Sequence, residues 1–412
     1  MVLQELPLTF QHAIAVTRAL GIQYLWIDAI CIIQDDDKDW EVESGNMASI
    51  YGNSYLTISA TSSSSPAAGL APMRAAPRTF EHTDDEGDSF SVFVRPLLEH
   101  NFLSSSVFVS DKFPALRGGW CFQERYLSPR VVHFLEEEMA WDCGQHRRCQ
   151  CGGFEWRPHQ CKNQLRDIIS KLRVAQQNGL TLDELSKKEV WAILAGWDVI
   201  PDDYYCRATL TYDIDILQAL SGIATSIQDA GLGRYLAGLW RFRLEDQLMW
   251  CARSDWTHSF GRRPSSYTAP TFSPLSRIGE VSLGISTPGV TSRIHGKILR
   301  ARCRPKGLNK LGAVKSGHIK LQAPLVSVKV ASSTVTGFGW DGCHIEGFVG
   351  PGDKFEMRWI PDADEIPKSI QPGEQLYLLR IRDDNSLVLI RDPTDRHSFN
   401  RLGVCFEQET VM

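Results

Sequence analysis

QYLWIDAICIIQDDDKDWEVESGNMASIY, residues Gln23–Tyr51, is the stretch on which the reading of the fold turns. Tyr24–Ile33 is an almost unbroken apolar run, interrupted by the single carboxylate of Asp28. Such a run suits a strand covered on both faces, as in a parallel sheet, better than a half-exposed hairpin strand. Gln34 and the acids Asp35–Asp37 end it, and Asp39 stands where a helix N-cap is expected. Trp40, Met47, Ile50 and Tyr51 then recur at helical spacing on one face, with Glu43 between the first two. A carboxylate on that face, just past the carboxyl end of a buried strand, stands where open α/β sheets hold their chemistry. Glu43 is therefore the candidate catalytic carboxylate, with membership of a structural ion pair as its alternative role. Asp28 stands between ligand contact and the capping of a neighbouring loop.

Outward from this stretch the pattern continues as α/β. Thr9–Leu20 reads as a helix stopped by Gly21, and Tyr55–Ala60 as a second apolar strand, so helices alternate with buried strands. Ser62–Asp88 reads as a polar loop carrying Asp84, Asp85, Glu86 and Asp88, followed by a strand over Phe90–Arg95. Trp120–Leu127 reads as a short helix ended by Ser128-Pro129. Val131–Leu135 and Met139–Asp142 read as a hairpin turning at Glu136–Glu138. Gln123, Glu124 and Arg125 form a polar knot in that helix, with Arg125 expected to pair with an acid of the first unit.

Cys143, His146, Cys149, Cys151, His159 and Cys161 crowd into the next segment. Cys143, Cys149, Cys151 and Cys161 are candidate metal ligands. Their C-x-C spacing does not match the two C-x-x-C pairs of zinc motifs, so reduced cysteines without metal are the expectation. Gln164–Gln177, Thr181–Ala195, Asp215–Asp229 and Arg234–Cys251 carry helical periodicity. Ser254–Pro288 turns rich in Ser, Pro and Gly, and beyond it Arg293–Arg300, Gly317–Leu325, Val328–Ser333, Gln375–Arg382 and Ser386–Arg391 alternate as strands. The organisation expected is 1–150, 151–255 (helical) and 256–412 (a loop followed by a β-rich region).

With 43% hydrophobic and 23% charged residues, the 412-residue chain has the composition of a globular protein of two or three units. A net charge of −5 offers no global field for nucleic acid or anionic membrane. Met1–Leu20 lacks the basic-then-apolar pattern of a secretory leader, and no uncharged apolar run reaches the length of a membrane span. An odd count of 11 Cys fits a reducing compartment, so a cytoplasmic location is expected.

Several blocks, in order, resemble fungal heterokaryon incompatibility (HET) domain proteins: YLWIDAICIIQ, DWEVESGNMASIYGNSYLTISAT and RGGWCFQERYLSPRVVHFLEEEMAWDC. Downstream, YDIDILQALSGIA, YLAGLWRFRLEDQLMW, QLYLLRIRDDNSLVLIRD and RLGVCF are similar to recurring pieces of that family. The chain departs from the pattern in two places. The family's opening strand-and-turn block, which ends in Trp-Gly, is missing, which implies N-terminal truncation or loss of that element. Ala269–Ser276 reads APTFSPLS, with Phe272 and Pro274 where relatives carry Trp.

The resemblance implies a role in nonself recognition and programmed cell death. It also implies a distant likeness to Toll/interleukin-1 receptor (TIR) domains, whose fold is a flavodoxin-like parallel sheet. Some TIR domains cleave NAD with a glutamate shortly after a helical Trp, and Trp40 and Glu43 are similar to that pair with a spacing one residue short. By that analogy NAD is a substrate rather than a cofactor. Glu43 would stabilise the oxocarbenium-like ribose, Asp28 and Gln34 would orient ribose or phosphate, and Trp26 or Trp120 would stack on a base. The alternatives are a non-enzymatic module that assembles as a homo-oligomer or with a partner death-domain protein, and an inactive relative.

Overall fold

The computed structural model describes residues 2–70, 78–94, 112–153, 155–156, 160–207, 210–253, 259–283, 293–330, 335–339, 342–349, 354–383 and 385–406. The chain opens with helix α1 (Leu8–Ala19), which ends where Gly21 turns to φ +70°. Residues 22–27 then run without regular structure, and Asp28–Cys31 forms a single helical turn, α2.

The strand expected over Tyr24–Ile33 is thus corrected to irregular chain and one turn. Side-chain competition for the backbone accounts for the difference. Asp28 Oδ1 accepts from the Ala29 amide at 2.7 Å, and the Gln34 amide donates to the carbonyls of Asp28 (3.2 Å) and Ile32 (2.9 Å). Short polar side chains that bond nearby backbone in this way draw it out of a ladder. The apolar run is divided accordingly: Ile32 is buried, whereas Tyr24 is 86% and Ile33 55% exposed.

Helix α3 (Asp37–Gly52) starts at Asp36 rather than Asp39. The Asp36 carboxylate accepts from the amides of Lys38 (2.8 Å) and Asp39 (3.2 Å), the bonding expected of an N-cap. Asp39 instead reaches back to the Ile33 amide at 2.8 Å. Strand β1 (Thr57–Ser59) follows, then a separate hairpin of β2 (Arg78–Thr83) and β3 (Ser89–Val94). That hairpin places a strand inside the stretch read as loop, with Asp84 and Asp88 at its turn. Helix α4 (Gly119–Leu127), β4 (Arg130–Phe134), β5 (Met139–Cys143), β6 (Arg147–Cys149) and β7 (Glu155–Trp156) complete the first region.

These strands form a five-stranded sheet in the order β1-β4-β5-β6-β7. Only β1 and β4 are parallel; β4 to β7 pair antiparallel. The parallel sheet expected from the sequence is therefore corrected to a mixed one. The short turns at 135–138 and 144–146 permit only antiparallel neighbours, because a parallel return needs a crossover.

The middle of the chain contributes α5 (Gln160–Gln177), α6 (Lys187–Arg207) and α7 (Gln218–Ile227). The helix expected over Arg234–Cys251 is corrected to a two-stranded turn of β8 (Tyr235–Leu236) and β9 (Leu239–Trp240), then one helical turn, α8 (Leu244–Gln247). Gly233 and Gly238 take φ +96° and +104°, a backbone that breaks any helix through them. Phe122 and Tyr126 of α4 join Trp197, Ile223, Trp240 and Trp250 in one apolar core, which reaches on to Ile298 and Val314.

Short β10 (Cys251–Ala252) and β11 (Val281–Ser282) pair, as do the long strands β12 (Lys297–Pro305) and β13 (Val314–Gln322). The C-terminal sheet has seven antiparallel strands: β14 (Leu325–Val330), β15 (Val335–Gly339), β16 (Gly342–Val349), β17 (Lys354–Pro361), β18 (Gln375–Arg380), β19 (Asn385–Arg391) and β20 (Phe399–Phe406). One helical turn, α9 (Glu365–Ser369), lies between β17 and β18. A buried ion pair, Arg401 Nε to Asp362 at 3.0 Å, joins β20 to the residue after β17 within this sheet, and further contacts of Arg401 fasten the sheet to the middle region. Arg401 also donates to the Leu248 carbonyl at 2.6 Å, and its guanidinium lies 3.6 Å from the Trp250 ring centre. Among the described residues, no helix is long and apolar enough to cross a membrane.

Candidate functional site

Helices α1 and α3, the irregular segment 22–27 and strand β1 enclose a cleft of about 480 Å³. Ala13 and Thr17 come from α1, Leu25, Trp26 and Ile27 from the irregular segment, and Ile50 and Tyr51 from the end of α3. Its walls are largely apolar, and the α4 residue that reaches this cleft is Glu124. Tyr51 hydrogen-bonds its carboxyl through the phenol hydroxyl. Trp26 stands edge-on to Tyr51, ring centres 5.6 Å apart.

The carboxyl of Glu124 is pushed up to about 7, first by its burial and then by the negative charge of Asp28; the Tyr51 hydrogen bond pulls the other way. Burial and the same two acids raise the Tyr51 phenol. Cys121, one turn before Glu124, is also raised, by burial and then by Glu124 and Asp28, which marks it as a protonated thiol. A carboxyl that titrates near neutrality in a largely apolar cleft can both accept and return a proton at the pH of a cell.

Of the residues singled out from sequence, Trp26 lines this cleft and Asp28 acts on it through its charge. Gln34 supports it by closing the turn that carries Asp28. Glu124, read as part of a structural knot, is its acidic centre. Glu43 is not among the residues that line the cleft; half-buried on α3, it accepts a long 3.4 Å hydrogen bond from Asn46. Trp40 and Trp120 meet edge-to-face at 6.0 Å, between α3 and α4, and Trp120 hydrogen-bonds Asp215. Gln123 is fully buried and accepts from the Gly222 amide at 2.6 Å, which locks α4 to α7. Tyr51 and Cys121 were missed as site members. Tyr51 does fall on the apolar stripe of α3, the pattern of a core residue, and only a fold could bring it to Glu124.

A second polar cluster lies under the five-stranded sheet. Asp142, 1% exposed, pairs with Arg147 at 3.4 Å and Lys162 at 3.9 Å. Burial opposes its ionisation, but Lys162, Arg147, His133 and Arg125 together hold it below the usual carboxylate range. Arg125 also stacks over Tyr126, 5.3 Å from the ring centre. His133, hydrogen-bonded to Thr61 at 2.8 Å, is lowered to about 3 by burial. Of the cysteine ligand candidates, Cys149 and Cys151 approach one another with Glu138. Cys143 instead accepts from the His146 amide at 3.4 Å. The side chain of Cys161 lies outside the described residues.

The fold and cleft define a mixed α/β protein with a carboxyl-bearing apolar site. Residues 2–124 match the family Heterokaryon incompatibility protein (HET), and the chain thus carries a heterokaryon incompatibility domain over that segment. The match takes in every residue of the cleft and ends on Glu124 itself. No curated protein and no solved structure matches the chain.

Proposed function

We propose that this protein acts in the cytoplasm in fungal nonself recognition and regulated cell death, and that the Glu124 cleft is where its HET domain works, by cleaving the nicotinamide–ribose bond of NAD. The observation that carries this reading is a carboxyl poised near neutrality beside an indole and a phenol in an apolar cleft. Breaking that bond builds positive charge on the ribose, which an adjacent carboxylate stabilises, and the same carboxylate can take the proton of an attacking water. Glu124 has both roles here, Tyr51 orients it, and Trp26 offers a face to the nicotinamide or adenine ring. The assignment moves the TIR-like role from Glu43 to Glu124. It rests on the cleft and not on a parallel sheet.

The test is NAD level after induced expression in a fungal host, and NAD hydrolysis by the purified chain, for wild type, Glu124→Gln and Glu43→Gln. Loss of NAD with wild type and Glu43→Gln but not with Glu124→Gln supports the proposal. Steady NAD in all three removes it. A second reading is favoured by the exposed aromatics at the cleft, Tyr24 and Tyr55 (62% exposed): a non-enzymatic module that takes an apolar side chain of a partner or a second copy. Cell death that persists with Glu124→Gln while NAD holds steady selects that reading.

A further inference from the structure

Three donor atoms converge away from the cleft. Glu138 comes from the β4–β5 turn, Cys149 ends β6, and Cys151 lies in the turn that follows. Their ligand atoms all lie within 4.8 Å of one another. Glu138 is 2% and Cys149 8% exposed, while Cys151 is half-buried.

The backbone holds this arrangement in place. The Cys151 amide donates to Glu138 Oε2 at 3.0 Å, the Gln150 amide to the Met139 carbonyl at 2.8 Å, and the Gly153 amide to Cys151 Sγ at 3.3 Å. Gly152 supplies the φ of +74° that folds the turn back. An amide aimed at a sulfur favours its thiolate form. The two sulfurs stand 2.9 Å apart, held in one direction by a C-x-C segment that cannot spread them far.

Without a cation this crowding is unfavourable. Three acidic donors whose ligand atoms all lie within 4.8 Å cannot all be negative at once, so they keep protons among them. A divalent ion would replace those protons, because it binds the deprotonated donors and releases protons on binding. Two thiolates and a carboxylate suit zinc, with bonds of roughly 2.3 Å to sulfur and 2.0–2.2 Å to oxygen. A tetrahedral site with such bonds spaces its sulfurs by roughly 3.7 Å, which small side-chain rotations supply here.

We propose that Glu138, Cys149 and Cys151 bind a thiophilic divalent cation of the zinc type, which pins the β4–β5 turn to the end of β6. The ion would brace the sheet that carries the Asp142 cluster, and it has no part in the chemistry proposed for the cleft. Three donors leave a position for a further ligand.

The test uses the full chain, purified with reductant, dialysed and assayed for zinc, then stripped and titrated with cobalt(II). One zinc per chain is expected, and one equivalent of cobalt should give thiolate-to-cobalt charge-transfer absorption. Cys149→Ser and Cys151→Ser should lose both signals, Cys143→Ser should keep both, and Glu138→Gln should keep the absorption but need more cobalt to reach it. The wild-type titration decides the matter even where a cysteine variant fails to fold. Absence of metal and of the absorption while both thiols react freely overturns the proposal. So does a Cys149–Cys151 disulfide that persists in the reduced preparation, or an unchanged signal in Cys149→Ser.

Discussion

Two carboxyls of the first region, half-buried Glu124 on α4 and buried Asp142 on β5, meet opposite surroundings. Asp142 is ringed by Arg147, Lys162 and the field of Arg125, and it stays ionised although burial works against it. Glu124 faces a phenol, a protonated thiol and another acid, with no cation among the groups that shift it, and it holds its proton to about pH 7. The pair shows that burial alone does not decide the charge of a carboxyl; the sign of its neighbours does. One setting yields a fastening, the other a group with a proton to exchange.

The comparison can be tested from its strongest side first. Asp142→Asn leaves buried cations without their counter-charge, and we expect a loss of about 3–5 kcal/mol in urea unfolding. A loss below about 1 kcal/mol would show that the cluster is neutralised in another way. Glu124→Gln should lower NAD hydrolysis by roughly 10²- to 10³-fold, as removal of a charge-stabilising or base group does. The same substitution should raise stability at pH 8 by about 2 kcal/mol, because it removes a carboxylate that is ionised against its surroundings.

The pH dependence sharpens the contrast, because the signs differ. Glu124 has a raised folded pKa, so the folded state holds its proton longer than the unfolded chain. Stability should therefore fall as pH rises from about 4.5 to about 7, a slope that Glu124→Gln abolishes. Asp142 is depressed, so its contribution is present above about pH 4 and is lost as acid protonates it. Hydrolysis should rise through about pH 7 as Glu124 ionises. Tyr51→Phe removes a bond that lowers the Glu124 pKa, so it should move that rise to higher pH and cost about 1 kcal/mol of stability. Glu43→Gln should stay within about 0.5 kcal/mol of wild type and leave the profile unmoved. A large effect there would return the carboxylate role to α3.

How far these features were legible depended on how local their causes are. Helix α4, the turn at Glu136–Glu138 and strands β18 and β19 follow from short-range pattern and turn chemistry, and their boundaries were close; β12, β13 and β14 were placed a few residues off, and β15, β16, β17 and β20 were not read as strands. Tyr24–Ile33 misled because an apolar run has the same composition whether it enters a sheet or lines a cleft; the Gln34 amide that decides between them carries no periodic signal. Over Arg234–Cys251 the spacing of large side chains resembled a helix, yet Gly233 and Gly238 turn the chain twice. At the site, Trp26 and Asp28 stood out as aromatic and charge within an apolar run. That Glu124 and not Glu43 would face the cleft depended on how α3 and α4 rotate against each other. Contacts with α7, far along the chain, set that rotation.

The Gln123–Gly222 hydrogen bond also bears on how the chain is made. The two residues are 99 positions apart, so α4 emerges during synthesis well before the helix that seals it. At about 5–20 residues per second, that interval is roughly 5–20 s. For that time the nascent HET segment presents the α4 face, with Phe122 and Tyr126, to whatever is nearby. The cleft thus reaches its final shape only when the middle of the protein has been translated, and a chain arrested before Gly222 would be a client for chaperones rather than a working domain.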